Sequence, residues 1–176
     1  MNGIVTTLAG WFAPWQSLYA DSRLIETTVT GAHILATVVG GGVAIAADRD
    51  TLRTLRAESA LGHQALDELH ATHRPVLIGL AVLFISGIAL AAADVKTFAH
   101  STIFLIKLIL VLLLCLNGLF LARTEHLLRR RVFAEPAWAE SAEPTPRLWI
   151  RLRAASWLSI ALWSTTVIVG TALLNA

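Results

Sequence analysis

A lysine, Lys107, stands inside the most apolar stretch of the chain, residues 101–122. Hydrocarbon accepts an ammonium group at a cost of roughly 2.5–3.5 kcal/mol, so such a residue usually faces a partner or a cavity. The first long apolar stretch supplies candidates. Glu26, Thr30, His33 and Thr37 follow i, i+4, i+7, i+11 and form one polar stripe on a helix. Glu26 could neutralise Lys107, or Lys107 could hold an acidic group on a bound molecule. An imidazole at His33 is the natural axial ligand for a haem iron, with Lys107 placed to meet a propionate. His100 is the only second imidazole that could match that depth. A quinone or another amphiphile, or a proton relay through His33, suits the same pocket. The plainer alternatives are polar contacts that only fix helix register, or a lysine extending its head to the membrane rim.

A second constellation lies outside the apolar stretches. His63, Asp67 and His70 fall at i, i+4, i+7, with His73 three residues later. Two imidazoles and a carboxylate on one helical face suit zinc, nickel or iron. The same spacing also arises on an ordinary solvated helix face. Glu125-His126 adds little specificity. The chain carries no nucleophile elbow, Gly-rich phosphate loop or complete carboxylate–histidine metal motif, so the sequence does not assign an enzymatic activity.

The elements that must position these groups are membrane spans. The chain has 176 residues, of which 56% are hydrophobic. Its mean hydropathy is +0.66, and a soluble domain of this size is rarely so apolar. A transmembrane helix needs about 20 apolar residues, and four stretches meet that length: 24–47, 75–93, 101–122 and 154–174. Little chain remains for anything else, so residues 1–176 form one membrane domain, an all-α antiparallel four-helix bundle. With the first and third spans starting at one face, His33 lies roughly 14 Å and Lys107 roughly 9 Å below it at about 1.5 Å per residue. Both belong to the same half of the bilayer, with Glu26 and His100 nearer the rim.

Eleven of the fourteen Lys and Arg residues fall in the connections 48–74 and 123–153. That bias places both connections in the cytoplasm, and both termini with the short 94–100 turn outside. Residues 1–20 lack a basic leader, and Trp11, Phe12, Pro14 and Trp15 interrupt any apolar core, so they read as a short interfacial helix rather than a signal peptide. Pro75 is expected in the first turn of the second span. Residues 134–146, with three prolines, read as a flexible loop. Ala32, Ala36, Gly40 and Ala44 form a ladder of small side chains that lets another helix approach closely. Cys115, alone in mid-span, reads as an apolar filler. A formal charge of +2 is too small to argue for nucleic acid. The expected partners are the bilayer and, through the small-residue face, a second copy or a larger membrane complex.

Three short pieces carry a resemblance: His33 in a span ending Ala47-Asp48-Arg49, then His73-Arg74-Pro75, then Phe104-Leu105-Ile106-Lys107 leading to Asn117-Gly118. On these the chain resembles small bacterial four-helix membrane proteins, themselves loosely similar to copper-resistance-D-like and cytochrome b561-like membrane domains. The resemblance implies a four-helix bundle with a b-type haem or a copper-related role. In the b561 pattern paired histidines on facing helices grip each haem, whereas here only His33 is firmly intramembrane. Two functions are expected on these grounds. The first is a haem b-binding redox protein or anchor subunit, and the second a non-catalytic accessory subunit that packs through its small-residue face.

Overall fold

A computed structural model describes residues 2–54, 62–134 and 146–174, and every element among them is helical. They are α1 (Asn2–Asp21), α2 (Arg23–Thr54), α3 (Gly62–Ala93), α4 (Val95–His100), α5 (Thr102–Ala134) and α6 (Pro146–Leu174). Four segments are long and apolar enough to cross a membrane: Arg23–Arg53, Pro75–Ala93, Thr102–Leu128 and Arg147–Leu173. Their outward faces carry Leu35, Val38, Ile85, Leu112 and Ile168, each more than half exposed. Such a continuous apolar exterior on spans of this length suits lipid. The chain is a multi-pass membrane protein built as an all-α bundle.

The helices continue beyond the apolar runs. α2 proceeds through Asp48 to Thr54, and α5 through Glu125 to Ala134. Pro75 is not in a first turn, because α3 already begins at Gly62. The proline gives no N–H to the carbonyl four residues before it, yet the helix passes through it. α1 likewise runs for 20 residues through Pro14, longer than the short interfacial helix its aromatics implied.

The α2–α3 pair is the most closely packed. Gly40 of α2 meets Gly79 of α3, and a Cβ built on Gly79 would lie 2.9 Å from the Gly40 Cα. Gly41 faces α6 instead, where a Cβ would come 2.9 Å from the Trp163 ring. Around this crossing lies the core of Ala36, Ala44, Leu83, Leu114, Leu162 and Trp163. A second cluster, Leu128, Leu148 and Leu152, joins α5 to α6 near the arginine-rich end. The α3–α5 seam is the loosest of the interfaces that close the bundle.

α1 caps the opposite end. The Trp15 indole donates to the Ala89 carbonyl at 2.8 Å, the Gln16 amide donates to the Ala92 carbonyl at 3.3 Å, and Tyr19 Oη lies 3.2 Å from Thr30 Oγ1. Trp15→Phe removes one of these bonds, a loss of about 1 kcal/mol. Amide exchange within α1 should then accelerate while the four spans keep their protection. Uniform acceleration throughout the bundle would show instead that α1 is part of the core.

Candidate functional site

Three of the four spans contribute side chains to one polar cluster in the half of the bundle nearer α1, and α6 adjoins it through Gly170. α2 brings His33, whose Nδ1 lies 2.9 Å from Ser86 Oγ on α3. Its Nε2 lies 3.4 Å from Lys107 Nζ on α5. Ser86 donates to the Val82 carbonyl at 2.6 Å and is also 3.2 Å from the Leu83 carbonyl. Ser86 is buried, while His33 and Lys107 are half-buried.

Two glycines adjoin the pair. A Cβ on Gly87 of α3 would stand 3.3 Å from His33 Cε1, and one on Gly170 of α6 would stand 3.5 Å from Lys107 Nζ. A side chain at position 87 would crowd the ring, whereas one at position 170 would only touch the ammonium at ordinary contact distance. Among the described residues no carboxylate forms a salt bridge with Lys107. Its recorded polar contact is the imidazole. The Lys107 side chain thus meets an imidazole inside the bundle, across the α2–α5 interface.

The depth argument from sequence therefore holds for His33 and Lys107, which meet across the bundle. It does not hold for the rest of the stripe. Thr30 is engaged by Tyr19 of α1. Glu26 is exposed two turns before His33, at the first turn of α2. His100 does not share a helix with Lys107. Asp94 accepts from Thr97 N and starts a separate short helix, and Ser101 ends it in an extended conformation at φ −85, ψ 114. The Ser101 hydroxyl then accepts from Phe104 N and opens α5. His100 is exposed at the end of α4.

Ser86 was not anticipated. The available signal was a single hydroxyl in a charge-free apolar stretch, on a span that must cover His33. A second set of buried polar residues near the arginine-rich end was also not anticipated: Asp48, Thr51, Asn117, Thr124, Glu125, Ser156 and Ser159. Asn117 donates to the Ala155 carbonyl at 3.1 Å and ties α5 to α6. Asp48, Asn117 and Ser159 line a cavity of about 60 Å³ beside Leu80, Leu114 and Trp163.

The metal reading of His63, Asp67 and His70 concerns side chains outside the described residues. The backbone there belongs to α3 and is helical. Elsewhere, among the described residues, no group of three His, Cys, Asp or Glu side chains is placed to hold a metal ion.

Fold and site together define an α-helical multi-pass membrane protein with an imidazole–ammonium pair inside its bundle. Comparison with protein-family models, with curated proteins and with solved structures finds no match for this chain.

Proposed function

We propose that the chain is a haem b-binding redox protein or membrane anchor subunit of a bacterial inner membrane, with His33 and Lys107 as its cofactor site. The observation that carries this reading is an imidazole inside the bundle with one nitrogen anchored by Ser86 and the other aimed at a cation. Haem needs a nitrogen donor for iron and a positive charge for its propionates, and this pair has both kinds of group. His33 would hold the iron through Nε2. Lys107 would leave that nitrogen and turn to a propionate, a movement its flexible side chain permits. When bound, the haem supplies one-electron exchange. The chain's own residues anchor the ring, neutralise the acid and keep the site within hydrocarbon.

Sidedness follows from the arginines. The end of the bundle bearing Arg49, Arg53, Arg123, Arg130, Arg147 and Arg151 is cytoplasmic, and α1 with both termini is outside. The site then lies in the outer half of the bilayer.

The accessory-subunit alternative relied on the ladder of small residues as a docking face. Ala36, Gly40 and Ala44 are buried within the chain, with Gly40 against Gly79 of α3. That face is already occupied by the protein's own helices, which favours the cofactor reading.

Protein purified from cells supplied with ample haem should show a Soret band, and His33→Ala should abolish it while the protein remains helical. A colourless wild-type preparation under those conditions removes the proposal.

A further inference from the structure

We infer that Ser86 is a positioning residue that holds His33 as the Nδ1–H tautomer, leaving Nε2 as the bare nitrogen inside the bundle. The ligating role of that nitrogen rests on the haem reading above, but the tautomer does not.

The argument runs from both edges of the ring. A serine hydroxyl has one proton. The shortest contact of Ser86 Oγ, 2.6 Å to the Val82 carbonyl, is where that proton goes, because a carbonyl only accepts. The Oγ lone pair 2.9 Å from His33 Nδ1 must then accept, so Nδ1 carries hydrogen. At the far edge Lys107 brings an ammonium, which donates and does not accept. With Nζ 3.4 Å from Nε2, that ring nitrogen must offer its lone pair. The Ser86 hydroxyl and a charged Lys107, on different helices, are both matched by this one tautomer.

The hydrogen-bond chain therefore has one direction: Lys107 to His33, His33 to Ser86, Ser86 to the Val82 carbonyl. It ends on a carbonyl in α3, which cannot pass a proton on. The chain fixes a ring. Anchoring the non-ligating nitrogen is what sets the orientation and basicity of a metal-bound imidazole, and losing such an anchor typically costs roughly 10–100-fold in affinity.

The test is nitrogen NMR on haem-free protein labelled with ¹⁵N-histidine in a nanodisc. His33 is assigned by replacing the other five histidines singly. Wild type should show a protonated Nδ1 and a bare Nε2. Lys107→Met removes the far donor, so a retained Nδ1–H there isolates the contribution of Ser86. The double variant Lys107→Met/Ser86→Ala should release the ring to the Nε2–H form or to a mixture, and threonine at position 86 should restore Nδ1–H. The inference is overturned by Nε2–H or a doubly protonated ring in wild type. Loss of Nδ1–H in Lys107→Met alone, or its persistence in the double variant, overturns it equally. None of these spectra needs haem, so a colourless protein defeats the proposed function and leaves this inference standing.

Discussion

Gly79→Leu is expected to prevent α2 and α3 from docking, and Gly79→Ala to lower stability by about 1–3 kcal/mol, the usual range for overpacking. The physical reason is that the obstacle is main chain. A Cβ at position 79 would lie 2.9 Å from the Gly40 Cα, and a backbone atom cannot rotate aside as a side chain can. The helices would have to separate along their closest interface. His33 is seven residues from Gly40, and Ser86 is seven residues from Gly79. Two turns along each helix, any separation reaches the 2.9 Å contact between Nδ1 and Oγ. Thermal unfolding in detergent measures the effect, with Gly42→Ala as control. A Cβ at position 42 meets nothing within 4 Å, so that variant should match or slightly exceed the wild type. Equal midpoints for the Gly79→Ala and Gly42→Ala proteins would show that the close crossing is not the feature that holds the pair.

The contrast between these glycines also shows what could be read without coordinates. Three successive glycines in an apolar helix announce that something approaches closely, but not from where. Gly40 admits α3, Gly41 admits the Trp163 ring, and Gly42 admits nothing. Consecutive residues on a helix point about 100° apart, so one run of sequence serves three different surroundings.

The same geometry explains which parts of the candidate site were legible. Span length follows from apolar run length, because hydrocarbon thickness is fixed. Depth follows from rise per residue, and that sufficed to bring His33 level with Lys107. A shared stripe did not suffice. Glu26 and His33 lie on one helical face, but two turns of rise carry Glu26 to the exposed start of α2. Thr30 lies between them and is covered by α1, an element whose docking no periodicity encodes.

Seven-residue spacing between His100 and Lys107 means a common face only if one helix holds both. Asp94 and Ser101 are each good helix-capping residues, and their presence seven apart was the sign of a separate short helix. The burial of Asp48 and Glu125, 3% and 2% exposed, had no local sign at all. Each follows an apolar run, where a charge ordinarily ends a span and meets water. Their burial depends on α2 and α5 continuing past the apolar stretch with other helices beside them.

Lys107→Met is expected to stabilise the haem-free protein and to weaken its hold on haem. An ammonium within a span costs roughly 2.5–3.5 kcal/mol, and a hydrogen bond to a charged group returns about 1.5–3 kcal/mol. His33 at 3.4 Å is a long partner, so the return belongs at the lower end. Methionine fills similar space without a charge, and the balance favours the variant by roughly 1 kcal/mol, visible as a higher unfolding midpoint. Loss of the cation removes the partner for a propionate. At about 1.5–3 kcal/mol for one charge-assisted bond, haem affinity should fall roughly 10–100-fold. Differential scanning of haem-free protein and spectroscopic titration with haem read the two quantities separately. A lysine that serves only as a strut between α2 and α5 predicts the reverse pair of results: a lower midpoint without it, and haem retention unchanged.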